Sequence, residues 1–347
     1  MTLVEKRRIP RTPTTAAGTP TRSDGRTAWL VISALAVAAV VGSIYVARTG
    51  LTGDARGNPA VTTVTRESPL FGIENWPAIF SSIFVVVALG LGVAFAWLSY
   101  RQRSMHHGLI VFLCVTGLSL LDPPANWVTF TVFDPQFLHF PTTWHWMSLT
   151  PLVEPIVNVP GYPMYFLTVA LTAGWAAKKL LRRAKPGSWT ARHPRGTYLW
   201  VGFVAGLVWD IPTELFMIRA HMYHYSEAWG PTIGIGHGRF PIVWGFFTWF
   251  AIATVTVLLH RDDRGQSLAH DLARRLPGRK VTSLRIVVAG TLFLWVLYCI
   301  PMGLYAVIRV TGLSHPNLPS GWQYPESKVY DPYGRLQRSG IPGPYFK

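Results

Sequence analysis

Long apolar stretches, separated by short polar segments, dominate the hydrophobicity pattern of the chain. Seven of them have the length of about 20 residues that a helix needs to cross a bilayer. These stretches are residues 28–47, 77–99, 108–133, 162–181, 198–218, 240–259 and 286–308. The pattern therefore predicts an all-α, polytopic membrane protein built as a bundle of about seven transmembrane helices.

Basic residues give this bundle a predicted orientation. If seven spans place successive loops on alternate sides, 22 of the 32 Lys and Arg residues lie on the side of the N-terminal tail. Cytoplasmic loops carry the excess of positive charge, so we expect an N-in, C-out protein of the bacterial plasma membrane. The net charge of +16 is then explained by topology, and we expect lipid rather than nucleic acid as a partner.

The chain divides into three predicted parts. Residues 1–27 are rich in Thr, Pro and Arg and poor in large apolar side chains, which predicts a disordered basic tail. Residues 28–308 form the predicted membrane domain. Residues 309–347 form a Pro- and aromatic-rich tail on the outer side, which either packs as a lid or extends into solvent.

The longest predicted outer loop, residues 122–163, has an unusual composition. It contains eight prolines and eight aromatic residues but no Lys or Arg. It is too apolar for a freely solvated loop and too rich in proline for one helix. We expect a re-entrant or capping loop, which serves either as an interfacial aromatic belt or as the roof of a pocket.

Two acidic residues lie inside the fifth predicted span. An unpaired carboxylate at that depth costs at least ~2.5–3.5 kcal/mol, so Asp210 and Glu214 are candidate functional residues. Helical spacing places them on one face with His221 and His224. Asp210 has an alternative role as a helix cap at a kink made by Pro212.

Two residues of other spans are predicted to reach the same level of the membrane. With a rise of ~1.5 Å per residue, Asp122 and Tyr298 lie about as deep as Asp210 and Glu214. The four side chains are expected to converge in a buried site. Asp122 has an alternative role as a turn or cap residue before two prolines.

These residues suggest acid–base chemistry. A carboxyl group in a low-dielectric pocket can stay protonated and act as a general acid, with a second carboxylate or an imidazole as base. We predict Glu214 as the preferred acid, with Asp210 as the other candidate, His221 or His224 as base or orienting residue, and Asp122 as a supporting acid. The predicted substrate-binding residues are Trp127, Trp144, Trp146, Trp209 and Tyr298.

Neither a cofactor nor a metal is predicted. His221, His224 and His237 supply three imidazoles, but membrane di-iron enzymes need a larger set of histidine boxes. The seventh span has no Lys for a retinal Schiff base, and the chain has no phosphate-binding glycine motif.

Several segments together resemble the AveC family, named for the spirocyclase of avermectin biosynthesis. The resemblance covers roughly residues 70–310 and rests on the residue composition of several segments and on their order along the chain. The segments are Asp122-Pro-Pro-Ala-Asn-Trp, Phe133-Asp-Pro-Gln-Phe-Leu-His-Phe-Pro-Thr-Thr-Trp, Pro151-Leu-Val-Glu-Pro, Gly161-Tyr-Pro-Met-Tyr-Phe and Trp209-Asp-Ile-Pro-Thr-Glu. The resemblance implies a cofactor-independent membrane enzyme that closes a spiroketal from a dihydroxy-ketone polyketide, with dehydratase activity in some members. It assigns no catalytic residue.

The predicted function is therefore that of a membrane-embedded acid/base cyclase or dehydratase acting on a hydrophobic, polyketide- or lipid-like substrate. Two alternatives stay open at the level of the sequence. A membrane terpene cyclase also starts from a buried acid in an aromatic pocket, and a non-catalytic lipid-binding or transport protein has the same apolar composition. The sequence specifies neither the substrate nor a protein partner.

Overall fold

The computed structural model describes a mostly helical chain. It covers residues 70–317, except 74–75, 135–136, 142–143, 145, 152, 221, 236–237 and 278–279, together with two short strands nearer the C-terminus. The predicted first span, the N-terminal tail and most of the C-terminal tail lie outside the described residues.

Long apolar helices form the body of the protein. In chain order the helices are α1 (Trp76–Gln102), α2 (His107–Leu118), α3 (Asp122–Val128), α4 (Asn158–Tyr162), α5 (Thr168–Arg183), α6 (Trp189–Arg192), α7 (Pro194–Arg219), α8 (Ile242–Leu259), α9 (Leu268–Arg275) and α10 (Ser283–Thr311). Short 3₁₀ turns occupy Leu70–Gly72, Ser119–Leu121 and Met147–Leu149, and a π-helical turn occupies Pro163–Leu167.

Within the described part of the chain, five helical stretches are long and apolar enough to cross a membrane: Trp76–Gln102, His107–Val128 (α2 to α3), Pro194–Arg219, Ile242–Leu259 and Ser283–Thr311. Each overlaps a stretch predicted from the hydrophobicity pattern. The predominantly helical fold is thereby confirmed and is compatible with a membrane protein. The number of seven spans and their orientation stay predictions.

The fourth predicted span corresponds to three consecutive helical segments. Helix α4, the π-helical turn and α5 follow one another without a break over residues 158–183. The π turn begins at Pro163, which has no backbone N–H to donate to the helix. Single π turns occur frequently at functional sites. This one carries Tyr165 and Phe166, which line a cavity between the helices.

Helices α7 and α8 pack closely because two glycines of α7 face α8. A Cβ atom at Gly202 would lie 2.8 Å from the Cα atom of Ala253, and one at Gly206 would lie 3.0 Å from the Cα atom of Trp249. Small residues four positions apart let two helix backbones approach in this way. The close approach brings Asp210 of α7 against α8.

Short strands lie between some of the helices and after α10. They are β1 (Thr131–Phe133), β2 (Tyr223–Tyr225), β3 (Glu227–Ala228), β4 (Thr232–Ile235), β5 (Gly238–Pro241), β6 (His315–Pro316), β7 (Val329–Tyr330) and β8 (Tyr345–Phe346). The pairs β1–β2, β3–β6 and β4–β5 are antiparallel, and β7–β8 is parallel. In the first pair Thr131 lies opposite Tyr225, and Phe133 lies opposite Tyr223.

Candidate active site

A cavity of about 150 Å³ lies between the helices and the β1–β2 pair. Its polar lining residues are Asp122, Asn126, Thr129, Thr131, Asn158, Tyr162, Tyr165, Glu214, Tyr223, Tyr225, Thr248 and Tyr298. The other lining residues are Phe84, Ala125, Phe133, Phe137, Val157, Gly161, Phe166, Met217, Met222, Trp244 and Phe247. The wall thus combines two carboxyl groups, five phenols and a few amides and hydroxyls with many apolar side chains, and Lys, Arg and His are absent from these lining residues.

Four residues were predicted to converge in a buried site, and three of them line the cavity. Asp122, Glu214 and Tyr298 come from three different helices and line the same cavity. Each is at least nine-tenths buried. The loop between residues 122 and 163 supplies part of the wall, including Thr131, Phe133 and others, so it contributes directly to the cavity.

Asp122 is held by side chains rather than by backbone amides. It lies in the first turn of α3, next to prolines that lack an N–H group. The hydroxyl of Tyr162 donates to its Oδ1 at 2.6 Å, and the amides of Asn126 and Asn158 donate to its Oδ2 at 3.0 and 2.5 Å. In the structure its side chain is therefore part of the cavity wall.

Glu154 lies behind Asp122 and is joined to it by the same two amides. Asn126 donates to Oε2 of Glu154 at 3.0 Å, and Asn158 donates to Oε1 at 3.1 Å. Thr150 adds a third hydrogen bond of 2.5 Å. Burial, and next the neighbouring Asp122 carboxylate, raise the pKa of Glu154 well above its ordinary value of 4.5.

Tyr298 of α10 extends the hydrogen-bond chain from Asp122. Its hydroxyl lies 2.9 Å from that of Tyr162 and donates to it, because Tyr162 donates its own proton to Asp122. The Tyr298 ring packs edge-on against Phe247, with centroids 4.0 Å apart. Helices α3, α4 and α10 are thus joined by the hydrogen-bonded side chains of Asp122, Tyr162 and Tyr298.

Glu214 of α7 is the second buried carboxyl group of the wall, and it lies next to tyrosines of β2. The hydroxyl of Tyr225 donates to its Oε2 at 2.9 Å, and the neighbouring Tyr223 hydroxyl lies 3.9 Å from the Met217 sulfur. Both tyrosines lie on β2, where alternate residues face the same side. Burial, and next the Glu214 carboxylate, raise the pKa of Tyr225 well above its ordinary value of 10.0, so its hydroxyl keeps its proton.

Asp210 lies next to the cavity but does not line it. It is fully buried, and its carboxylate accepts hydrogen bonds of 2.8 Å from the Tyr165 hydroxyl and from the Trp249 indole. Helix α7 runs through Pro212 without a break. Asp210 therefore binds side chains of two neighbouring helical segments, which is not the capping arrangement that the proline suggested.

The predicted helical face ends before the histidines. Helix α7 stops at Arg219, and His224 lies on β2 with Val132 opposite it. His224 is buried but is not among the lining residues, because strand alternation turns Tyr223 and Tyr225 towards the cavity instead. His221 lies outside the described residues.

The four predicted tryptophans lie elsewhere than in the cavity wall. Trp144, Trp146 and Trp209 are 53%, 48% and 44% exposed. Trp127 is half-buried and its ring lies 5.0 Å from the guanidinium of Arg309. The aromatic residues of the wall are instead phenylalanines, tyrosines and one other tryptophan, Trp244.

Sequence reasoning missed most of the polar partners of the acids. Tyr162, Tyr165 and Glu154 are not among the predicted site residues. One signal was available. Tyr162, Tyr165 and Phe166 share a helical face, which runs directly beside the predicted acids. The asparagines gave no such signal, because their bridging role depends on the tertiary structure.

The fold and the site define a mostly helical protein with membrane-compatible helices and a buried cavity that carries acids and phenols. The chain belongs to the AveC-like spirocyclase family. The family model described as "Spirocyclase AveC-like" matches residues 101–330, more than half of the 347-residue chain. The resemblance predicted from the sequence is thereby confirmed, and the match includes every acid described above. Searches of curated proteins and of solved structures returned no match.

Proposed function

We propose that the protein is a membrane-embedded spiroketal-forming cyclase that also removes water, and that Glu214 is its general acid. Family membership suggests a cyclase or dehydratase role in polyketide biosynthesis. The observation that carries the proposal is that two carboxyl groups on different helices, Asp122 and Glu214, face one aromatic cavity. An acid and a base on separate walls are what ketal formation needs.

The proposed reaction closes two rings in two similar steps. In the first, Glu214 protonates the ketone oxygen while one substrate hydroxyl attacks the carbonyl carbon and loses its proton to Asp122. In the second, Glu214 protonates the resulting hemiketal hydroxyl, which leaves as water. The second hydroxyl then attacks the same carbon and passes its proton to Asp122. The net change is a dihydroxy-ketone to a spiroketal plus one water.

The aromatic wall suits the cation that forms when water leaves. An oxocarbenium ion is stabilised by the negative faces of aromatic rings, and Phe133, Phe247 and Tyr298 line the cavity. Lys and Arg, which would repel the cation, are absent from the described lining residues. A water-poor, pre-arranged site of this kind stabilises charge more effectively than bulk water.

The size of the cavity limits what it can enclose. A cavity of about 150 Å³ compares with one that holds a single benzene ring. We infer that it encloses the reacting carbonyl segment, while the rest of a polyketide- or lipid-like chain extends out of the bundle. Such a substrate fits entry from a bilayer, and we propose that seven helices span the bacterial plasma membrane with the N-terminus in the cytoplasm.

The experiment that tests the function uses purified full-length protein in lipid nanodiscs. The probe is a symmetrical dihydroxy-ketone that closes two six-membered rings, because its spiroketal is chiral and spontaneous closure gives a racemate. We expect an excess of one enantiomer from the wild-type protein and none from Glu214→Gln, which keeps the size of the side chain. Asp271→Asn is the matched control, since Asp271 pairs with Arg195 on the surface.

Two results would contradict the proposal. Full enantioselective turnover by Glu214→Gln removes Glu214 as the acid. Binding of the probe without any turnover by the wild-type protein favours a lipid-binding protein instead.

A further inference from the structure

Several hydroxyl groups of the cavity wall have their protons committed to groups behind it. A phenol or an alcohol has one proton to donate and two lone pairs that accept. Tyr162 donates to Asp122 at 2.6 Å, so Tyr298, whose oxygen lies 2.9 Å from that of Tyr162, donates to Tyr162. Both tyrosines line the cavity. The Tyr298 oxygen therefore offers a ligand lone pairs and no proton.

Two other phenols of the wall are bound in the same way. Tyr225 donates to Glu214 at 2.9 Å, and Tyr165 donates to Asp210 at 2.8 Å. Both carboxyl groups are at least nine-tenths buried. Turning either phenol proton towards a ligand would leave a buried carboxyl oxygen without a donor, which is unfavourable. These two phenol oxygens therefore also act as acceptors towards the cavity.

A pair of threonines repeats the arrangement. Thr129 donates to the Ala125 carbonyl at 2.8 Å, so Thr131, whose hydroxyl oxygen lies 2.7 Å from that of Thr129, donates to Thr129. Both threonines are buried and line the cavity. Like Tyr298, Thr131 stands at the end of its chain of hydrogen bonds and has only lone pairs left.

The two asparagines of the wall have no amide proton to spare. Asn126 donates to both Asp122 and Glu154, and so does Asn158. A side-chain amide has two protons, and both are used. These described groups of the wall accept hydrogen bonds rather than donate them, so they match a ligand that carries hydroxyl protons.

We propose that Tyr298 and Thr131 bind free hydroxyl groups of the substrate, each by accepting one hydrogen bond. The inference deepens the proposed function and rests on it for the dihydroxy-ketone. While one substrate hydroxyl attacks and loses its proton to Asp122, the other donates to such an acceptor until the second closure. A methyl ether keeps the oxygen but lacks the proton, so the wall should discriminate against it.

The test measures binding rather than turnover. The ligand is the unreactive diol that has a methylene group in place of the ketone of the probe, and its dimethyl ether is the comparison. Titration calorimetry with the full-length protein in nanodiscs gives the affinity for each ligand. The ratio of the two affinities is compared between proteins, because the partition of each ligand into lipid then cancels.

The first variant is Tyr298→Phe, which removes the hydroxyl and keeps the ring that packs on Phe247. The second is Thr131→Val, which keeps the branched shape without the hydroxyl. We expect each variant to lower the ratio of diol to ether affinity about tenfold, because one donor–acceptor pair is lost. Tyr198→Phe is the matched control, since Tyr198 is buried outside the cavity. It should leave the ratio unchanged.

The outcomes separate hydroxyl binding from a packing role and from the proposed function. Equal losses of affinity for the diol and for the ether would leave the ratio unchanged and overturn the inference, as would a wild-type protein that does not prefer the diol. Each variant decides for its own residue, so Thr131→Val keeps the test decisive if Tyr298→Phe does not fold. A protein that prefers the diol but gives no enantiomeric excess with the dihydroxy-ketone contradicts the proposed function instead.

Discussion

The Asp210 carboxylate and the Trp249 indole are joined across the α7–α8 contact by a hydrogen bond of 2.8 Å. The contact has no room for a larger residue at position 245, where a Cβ atom would lie 3.1 Å from Oδ2 of Asp210. The other carboxylate oxygen accepts the Tyr165 hydroxyl. Asp210 therefore ties α7 to α8 and orients one phenol of the cavity wall.

Trp249→Phe should destabilise the protein, because it leaves one oxygen of a buried carboxylate without its indole donor. Loss of such a partner costs about 1–3 kcal/mol, which we expect as a lower melting temperature in detergent. Trp200→Phe is the control, since Trp200 of α7 is 59% exposed. Equal melting temperatures for the two variants would contradict this role of the hydrogen bond.

Gly202→Ala should separate α7 from α8. Its new methyl group would lie 2.6 Å from the Thr256 hydroxyl and 2.8 Å from the Cα atom of Ala253, and overpacking of this kind costs about 1–3 kcal/mol. Gly303→Ala is the matched control, because nothing lies within 4 Å of its Cβ position. In a helix that change should be neutral or stabilise by up to ~1 kcal/mol. Thermal unfolding that ranks Gly202→Ala as the more stable variant would contradict the packing.

Glu154→Gln should change how stability depends on pH. Because the folded protein raises the pKa of Glu154, protonated Glu154 favours the folded state, and its contribution is fully present below pH about 4.5. It is lost as the pH rises through the raised pKa. Glutamine has no proton to lose, so the variant should gain melting temperature relative to the wild-type protein as the pH increases over that window. Parallel curves for the two proteins would show that Glu154 does not titrate in this way.

Asn317→Ala should lower turnover by releasing the strand that carries Tyr225. The buried Asn317 amide donates to the Tyr225 carbonyl at 3.0 Å and to the Arg239 carbonyl at 3.2 Å. Asn317→Asp should be at least as damaging, since a carboxylate would face both carbonyl oxygens without a proton to donate. The measurement is the steady-state rate per folded protein with the dihydroxy-ketone probe. Wild-type activity in the aspartate variant would exclude this positioning role.

Much of the fold was predictable because hydrophobicity and length act locally. Residues 198–218 and 286–308 read as spans, and the structure has helices Pro194–Arg219 and Ser283–Thr311 there. The composite helix of residues 158–183 was predicted from residue 162 onwards, because Pro160 near its start discourages a helical prediction.

Part of the site could be predicted from polar residues that lie inside apolar stretches of the chain. Asp122, Glu214 and Tyr298 were identified because each is polar at an apolar depth. The helical face predicted to include His224 was wrong, because α7 ends at Arg219 and His224 lies on β2, a change that the spacing does not show.

The sequence by itself determined that this chain forms apolar helices, that acidic residues are buried within them, and which family it belongs to. Those properties follow from residue types and their order along the chain. The tertiary structure decided which groups meet: the bridge from Asp122 to Glu154 through two asparagines, the chain from Asp122 to Tyr298, and the contact of Tyr225 with Glu214. These contacts join residues far apart in the chain, and their geometry depends on how the helices pack, which no local pattern records.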